Sequence, residues 1–174
     1  MNYNSILFFV PASHFNEAEF LTSRDYAENA GYKVFITSDA RGLCVGQNGL
    51  KVKADVNLNN VNVNNFAAFV LIGGSGAREY GGDERLHKIA AAFNAKNKIL
   101  AAICSAPVIL AKAGILNGIT ATCFADDKSE LISGGADYKD TPLVIRKNII
   151  TANSPAASIQ FAEAVLNAVK AKIE

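Results

Sequence analysis

The sequence predicts an α/β fold, in which helices cover both faces of a mainly parallel sheet to form a three-layer, flavodoxin-like sandwich. Two observations support this prediction. Short apolar runs alternate with longer segments of helical periodicity, which is the pattern of successive β-α-β units. The 174 residues contain no internal repeat and no linker, and that length suits one domain. We therefore expect a single domain spanning residues 1–174.

The first half of the chain is expected to supply three strands and two helices. The strands are predicted at residues 5–10, 33–37 and 68–72, and the helices at 17–29, ended by Gly31, and at 84–96. Asp83 precedes the second helix and is a favourable N-cap residue. Apolar residues recur on one face of that helix, namely Leu86, Ile89, Ala90 and Phe93.

Two connections in this half have signals of their own. Residues 42–53 contain two short β-rich pieces around Gln47-Asn-Gly49, and Asn-Gly is a strong hairpin signal. Residues 57–65 are rich in asparagine but also carry the apolar anchors Leu58, Val61 and Val63. We interpret the second segment as a capped connector and not as disordered chain.

The second half is expected to complete the sheet and to close with a helix. Residues 99–111 predict a buried strand that stops at Cys104 and a helix that begins at Ser105. Further strands are predicted at 120–123, 143–145 and 149–151. Ser154 and Pro155 are typical of an N-cap and a first helical position. The buried stripe of that last helix would consist of Ala162, Leu166, Val169 and Ile173.

Charge and composition exclude several classes of protein. The 17 Lys and Arg residues nearly balance 16 Asp and Glu, so nothing indicates binding to nucleic acid or to an acidic membrane. No apolar run is long enough to span a bilayer, and no signal peptide precedes the first strand. The cysteines Cys44, Cys104 and Cys123 are odd in number and far apart, which does not suit a disulfide framework. We expect a protein of the reducing cytoplasm.

Cys104 lies where the pattern predicts a nucleophile elbow. The strand before it and the helix after it leave room only for a sharp turn, and the small residues Ala102 and Ala106 flank it. A thiol at the positive end of a helix is expected to have a lowered pKa and to react as the thiolate. The alternative is a buried core cysteine, since free cysteines are among the most buried residues.

The glycine loop at residues 73–76 directly follows a predicted strand. It lacks the third glycine of a dinucleotide fingerprint and the Lys-Ser/Thr pair of a P-loop, so nucleotide binding is not expected. Its backbone N–H groups, which include those of Gly73 and Gly74, are suited to binding an oxyanion beside Cys104. A plain tight turn is the alternative.

The two histidines differ in position. His14 lies on a loop at the carboxyl end of the first predicted strand, where open α/β sheets bind their ligands. His87 falls on the exposed side of a predicted helix and is expected to be solvated. The histidines stand alone and no cysteine pair has ligand spacing, so neither a metal nor another cofactor is expected.

Glu19 has two interpretations. The run Asn16-Glu-Ala-Glu19 matches a capping box, in which Glu19 stabilises the start of a helix. Glu19 also lies near the edge of the sheet where Cys104 is predicted. On spacing alone the capping role is favoured.

Three segments occur in the order found in one known family: Phe-Asn-Glu-Ala-Glu at 15–19, Leu-Ile-Gly-Gly-Ser-Gly-Ala at 71–77 and Ala-Ala-Ile-Cys-Ser-Ala-Pro around Cys104. With these segments the chain resembles the ThiJ/PfpI superfamily, the group that contains the parkinsonism-associated protein. The likeness covers nearly the whole chain and implies a fold similar to that of class I glutamine amidotransferases.

The resemblance also implies roles for individual residues. Cys104 would be the reactive thiolate, and Glu19 would be a protonated carboxyl group hydrogen-bonded to its sulfur. Backbone N–H groups of Gly74 and Ser105 would form the oxyanion site. The resemblance further implies a homodimer.

The departures from the family pattern bear on the reaction. Peptidase-like members carry a histidine directly after the nucleophile, where this chain has Ser105, and many relatives have a histidine where this chain has Cys123. Asn153 replaces an arginine of the site or of the dimer interface. A Cys-His dyad would therefore have to use His14 from the other loop.

These residues favour an enzyme that acts on small reactive carbonyl compounds, as a glyoxalase or deglycase does. Addition of a thiolate to an aldehyde, an oxyanion site and a carboxyl proton shuttle need neither a metal nor an adjacent histidine. The alternatives are a cysteine peptidase or amidohydrolase, and a redox-responsive protective protein in which Cys104 oxidises. The expected partner is a small-molecule substrate, with no nucleic acid and no membrane.

Overall fold

The computed structural model describes residues 4–172, which form twelve strands and five α-helices. The strands are β1 (Ser5–Phe9), β2 (Ser13–Phe15), β3 (Lys33–Ser38), β4 (Leu43–Gly46), β5 (Lys51–Lys53), β6 (Val56–Asn57), β7 (Ala68–Leu71), β8 (Ile99–Ile103), β9 (Thr120–Ala121), β10 (Asp137–Tyr138), β11 (Leu143–Arg146) and β12 (Ile149–Ala152). The α-helices are α1 (Glu17–Asn29), α2 (Glu84–Ala95), α3 (Pro107–Lys112), α4 (Lys128–Ser133) and α5 (Ser158–Ala171). Short 3-10 turns join several of them, the longest at Ser75–Tyr80.

The central sheet has seven strands in the order β11-β12-β8-β7-β1-β3-β6. All neighbouring strands are parallel except β11, which runs antiparallel to β12 at one edge. The inner strands β1, β7, β8 and β12 are buried along their whole length, as expected of parallel strands covered on both faces. The predicted α/β fold with a mainly parallel sheet is confirmed.

Alternate residues of each inner strand feed two separate apolar clusters, one on each face of the sheet. On β1, Ile6 and Phe8 pack with α1 and α5, whereas Leu7 and Phe9 pack with α2, α3 and α4. Burial of each such side chain contributes about 1.5–3 kcal/mol. The helices therefore lie in two layers with the sheet between them, which is the predicted three-layer arrangement.

Most predicted elements agree with the structure to within a residue or two. Helix α1 has the predicted bounds, and Gly31 follows its end at φ +87°. Asp83 caps α2 by accepting bonds from the N–H groups of Arg85 and Leu86. The predicted hairpin is the antiparallel pair β4–β5. The asparagine-rich connector forms two 3-10 turns, capped by Asn57 and Asn62.

The strand predicted at 120–123 is shorter than expected. Only Thr120 and Ala121 are extended, and they pair with β10 in a separate two-stranded sheet. The N–H of Thr122 then bonds to the side-chain hydroxyl of Thr151 at 3.0 Å, which leads the chain towards the central sheet without joining it. The short strands β2, β6 and β10 and the short helix α4 were not predicted from the sequence.

Both helices predicted in the second half begin later than expected. The helix after Cys104 begins at Pro107 and not at Ser105, because proline suits a first helical position that needs no N–H donor. Pro155 opens a 3-10 turn, and α5 follows from Ser158, while the Ser154 hydroxyl bonds to Asn153 and does not cap. Ala162, Leu166 and Val169 are buried as predicted, and Ile173 lies outside the described residues.

The first turn of α1 is tied to the β4–β5 hairpin. Glu17 Oε1 accepts bonds from the N–H groups of Asn48 and Leu50, each at 2.8 Å. Gly46 leaves room for this carboxylate, since a Cβ at that position would lie 2.3 Å from Glu17 Oε1. Within residues 4–172, no helix combines the length and the apolar character needed to cross a membrane.

Candidate active site

Cys104 forms a sharp turn between the end of β8 and the start of α3. Its φ is +62°, a value that is uncommon and strained for a residue with a side chain. Two backbone bonds hold the turn: the Cys104 N–H donates to Ala152 O at 2.9 Å, and the Phe124 N–H donates to Cys104 O at 2.8 Å. The residue is only 6% exposed. This local geometry is that of the predicted nucleophile elbow.

Glu19 points into this turn from the first turn of α1. Its side chain is fully buried, and Oε2 accepts a bond from the N–H of Gly73 at 2.9 Å. Asn16 does cap α1, by accepting a bond from the Glu19 N–H. The N–H of Asn16, however, donates to Gly73 O, so Glu19 does not complete the capping box. The side chain of Glu19 therefore bonds to the glycine loop and does not cap the helix. The capping role that spacing favoured for Glu19 is wrong.

Gly73 lies between the side chains of Glu19 and Cys104. A Cβ at this position would lie 2.6 Å from Ile103 O, 2.7 Å from Cys104 Cβ and 2.8 Å from Glu19 Oε2. Real Cβ atoms do not approach other atoms so closely, so only glycine fits between these groups.

Gly74, the next residue of the glycine loop, and Ser105, the residue after Cys104, lie near the sulfur of Cys104. Gly74 has φ +107°, and a Cβ there would lie 2.4 Å from His14 O. The Gly74 N–H and the Ser105 side chain both lie close to the sulfur of Cys104. Both contacts lower the pKa of the Cys104 thiol because they stabilise its anion.

Burial raises the pKa of Glu19 to about 7. The bonds with Gly73 and, less strongly, with Cys104 act in the opposite direction. Oε1 is buried and has no well-formed hydrogen bond within residues 4–172, so the contact of the carboxyl with the thiol is not a fully aligned bond. A carboxyl group in this position holds its proton up to neutral pH.

The lowered pKa predicted for Cys104 is contradicted. Burial, followed by the negative charge of an ionised Glu19, raises the pKa of the thiol to about 12. The helix that was expected to lower it begins three residues later and is only six residues long. Since a protonated Glu19 does not repel a thiolate, the ionisation of the sulfur depends on where the proton of this pair resides.

The structure brings together Cys104, Glu19, Gly73, Gly74 and Ser105, but it leaves the other predicted site residues apart. His14 has an exposed side chain at φ +54°, and it is its backbone carbonyl that faces Gly74. Cys123 is fully buried in the apolar cluster on the other face of the sheet, and its Sγ contacts Phe124 O at 3.2 Å. His87 is half-buried and bonds to Gly81 O at 2.9 Å, so the prediction that it is solvated is wrong.

Sequence reasoning missed three residues beside the nucleophile. Phe124, whose N–H bonds to Cys104 O, has its ring 5.9 Å from the guanidinium of Arg78. Arg78 Nε in turn donates to Asp127 Oδ1 at 2.7 Å, and Nη2 donates to Oδ2 at 3.3 Å. The available signal was the position of Arg78, in the segment that directly follows the glycine loop. Among the described residues no cluster of three or more His, Cys, Asp or Glu side chains is arranged to hold a metal.

Comparison with protein families gives one match that spans nearly the whole chain. The sequence profile of the DJ-1/PfpI family matches residues 4–168. The solved structure of a ThiJ/PfpI domain protein from Brachyspira murdochii superposes with a TM-score of 0.95 at 33% sequence identity. That match covers 98% of this chain and 99% of the other.

Several curated relatives have names that describe an activity, and two of them represent the two activities named. A protein of Pyrococcus horikoshii named deglycase PH1704 is 31% identical over 85% of this chain and 89% of its own length. A protein of Bacillus subtilis, YraA, which is provisionally named a cysteine protease, is 32% identical over 90% of this chain and 93% of its own length.

Gly73→Ala tests the close approach at the centre of the site. The added methyl group would collide with the Cys104 and Glu19 side chains, so we expect a loss of about 1–3 kcal/mol in the free energy of unfolding. Gly82→Ala is the matched control, because a Cβ there has no neighbour within 4 Å. Urea denaturation of both variants measures the effect, and equal stabilities would contradict the described packing.

The raised pKa of Glu19 predicts a pH-dependent stability. Between pH 4.5 and about 7 the unfolded chain has lost this proton while the folded chain keeps it, so stability falls as the pH rises. The fall should total about 3 kcal/mol, at about 1.4 kcal/mol per pH unit. Glu19→Gln, which cannot ionise, should lack this fall in denaturation curves recorded across the range.

Glu163→Gln, which removes an exposed charge on α5, controls for the loss of a surface carboxylate. If wild-type protein and Glu19→Gln lose stability in parallel as the pH rises, the buried carboxyl does not retain its proton.

Proposed function

The chain belongs to the DJ-1/PfpI family, and we propose that it is an enzyme that acts on small reactive carbonyl compounds through Cys104, in the manner of a glyoxalase or deglycase. The observation that carries this proposal is the contact of Cys104 with a buried carboxyl group whose pKa lies near 7. Such a pair can supply both a nucleophile and a proton within one site. The name of the Pyrococcus horikoshii relative supports the same class of reaction.

The first step of the proposed reaction is addition of sulfur to an aldehyde. The sulfur of Cys104 forms a bond to the carbonyl carbon, the π electrons move to oxygen, and the proton of the pair is transferred to that oxygen through Glu19. The product is a neutral hemithioacetal. The buried Oε1 of Glu19, which has no well-formed bond in the described chain, is available to this reacting oxygen.

Two backbone donors are available to the developing oxyanion. Within residues 4–172, neither the Gly74 N–H nor the Ser105 N–H donates to a backbone carbonyl. The Gly74 N–H lies close to the sulfur, so a carbonyl oxygen next to the sulfur lies within its reach. This is the role that the family resemblance assigns to both residues.

The second step applies to a 2-oxoaldehyde. Glu19 removes the proton from the hemithioacetal carbon and returns it to the neighbouring carbon. The hydroxyl proton of the first carbon moves to the oxygen of the second, and the adduct becomes a thioester of a 2-hydroxy acid. Water then cleaves the C–S bond and regenerates the thiol, so the net reaction adds one water molecule. A single carboxyl group that alternates between acid and base suffices for these transfers.

Peptide hydrolysis has less support. A cysteine peptidase ordinarily uses a histidine to protonate the leaving amine. The chain has two histidines, and the side chain of His14 is exposed while that of His87 is held by Gly81 O. Neither bonds to Cys104. The 6% exposure of Cys104 also suits a small substrate better than a polypeptide.

Turnover assays test the proposed reaction. The wild-type protein should convert methylglyoxal or glyoxal to the corresponding 2-hydroxy acid, and Cys104→Ser should reduce the rate to background. Cys44→Ser is the matched control, because Cys44 is also buried but its sulfur contacts Val10 O instead of the site. Product should be identified by chromatography, since dicarbonyl compounds also react slowly with exposed Lys and Arg.

The same samples should show no hydrolysis of casein. Casein cleavage that disappears in Cys104→Ser would contradict the proposed carbonyl reaction and would show that the protein is a cysteine peptidase. If such cleavage also disappeared in His14→Ala, His14 would be the missing base.

Glu19→Gln separates the charge of the acid from its proton transfer. Above a pH of about 7 the ionised Glu19 opposes ionisation of the sulfur, so the neutral variant should be alkylated by iodoacetamide with its midpoint at lower pH. Carbonyl turnover should nevertheless fall by about a hundredfold, because the amide cannot transfer protons. An unchanged or higher alkylation midpoint would show that the Glu19 charge does not act on the sulfur.

A further inference from the structure

Arg78 lies near Cys104, and within residues 4–172 its guanidinium is hydrogen-bonded to a single residue. It belongs to the 3-10 turn Ser75–Tyr80, which begins at the glycine loop, and its side chain is 45% exposed. Asp127 is only 8% exposed and accepts hydrogen bonds from Nε and Nη2 of Arg78. The charged group is thus fixed in place by a partner that is itself buried.

The contacts of Arg78 place it beside the nucleophile. The glycine loop that precedes it contacts the sulfur of Cys104 through Gly74. On the other side, Phe124 lies 5.9 Å from the guanidinium and bonds to the carbonyl of Cys104. The bond with Asp127 is the main cause of a raised pKa of Arg78, and the charge of an ionised Cys104 adds to it.

One edge of the guanidinium remains available. Asp127 occupies the edge formed by Nε and Nη2, and no hydrogen bond from Nη1 to another group occurs within residues 4–172. The edge formed by Nη1 and Nη2 can bind both oxygens of a second carboxylate in the bidentate geometry that arginine favours.

We propose that Arg78 determines substrate specificity by binding a carboxylate group carried by the carbonyl substrate. The inference rests on the proposed function, because it takes Cys104 as the nucleophile. In this arrangement the aldehyde carbon faces the sulfur, and the carboxylate of the same small molecule lies on the free edge of Arg78. The negative charges of Asp127 and Asp126 offset the positive charge of Arg78. Hydrogen-bond orientation therefore contributes more to carboxylate binding than net charge does, and we expect a moderate preference for substrates that carry a carboxylate.

Two alkylating reagents of equal size test this without requiring turnover. With both iodoacetate and iodoacetamide, the sulfur bonds to the methylene carbon and iodide is released. The reagents differ in one group only, since iodoacetate carries a carboxylate where iodoacetamide carries a neutral amide. We expect Arg78→Gln to lower the ratio of the iodoacetate rate to the iodoacetamide rate at Cys104 by about fivefold. High salt should reduce the ratio in wild-type protein but not in the variant.

Arg85→Gln is the matched control. Arg85 has a similar side-chain exposure of 38%, but its guanidinium is engaged by Asp83 and Asp39. Its variant should keep the wild-type ratio. Should Arg78→Gln fail to fold, Arg78→Lys keeps the charge without the bidentate edge and should lower the ratio by about twofold. A variant that slows both reagents equally, or neither, would show that Arg78 only clamps the loop and would overturn the proposal.

A second measurement separates this proposal from the role of Cys104. In Cys104→Ala, glycolate should raise the thermal midpoint and glycolamide should not, and the rise should be lost when Arg78→Gln is added. If neither iodoacetate nor iodoacetamide alkylates Cys104 in the wild-type protein, the proposed function fails. The thermal midpoints with glycolate and glycolamide still decide whether the carboxylate site exists. The absence of a rise specific to glycolate overturns the site whatever the reactivity of the thiol.

Discussion

The approach of the Gly73 backbone to both Glu19 and Cys104 is the constraint on which the site depends. The N–H of Gly73 donates to one carboxyl oxygen of Glu19 at 2.9 Å, and a Cβ on Gly73 would lie only 2.7 Å from Cys104 Cβ, so no side chain fits there. Three elements that are distant in sequence, the start of α1, the loop after β7 and the turn after β8, are thereby fixed against each other. The strained φ of Cys104 is tolerated because backbone bonds to Ala152 and Phe124 hold the turn from both ends.

Burial decides the electrostatics of this arrangement more than the helix does. Removing two acidic groups from water raises the pKa of each, and their proximity makes it unfavourable for both to be charged. One proton is therefore shared over a wide range of pH, as in other pairs of closely placed acids. The Gly74 N–H and the Ser105 side chain favour placing the charge on sulfur, while the Gly73 N–H favours placing it on the carboxyl.

The sequence was sufficient for the order of the longer strands and helices, because continuous apolar runs and helical periodicity are local signals. The short strands β2, β6 and β10 and the short helix α4 were not predicted. The sequence also located Cys104 and the glycine loop, whose strand-to-helix context is local. The spacing of residues 16–19 predicted a capping role for Glu19. That prediction failed because the hydrogen-bond partner of its carboxyl group, Gly73, is 54 residues away in sequence. The pKa of Cys104 and the contact between Arg78 and Asp127 likewise depend on burial and on packing between distant segments, which periodicity does not describe.

The two carboxylates in the first turn of α1 connect the site to the periphery. Glu17 is bonded to the tip of the β4–β5 hairpin, and Glu19, two residues on, is bonded to the glycine loop. Both side chains extend from the same helical turn. The position of the hairpin and the position of Glu19 are therefore mechanically coupled. A partner or a substituted residue that displaces the hairpin is therefore expected to move the side chain of Glu19 as well.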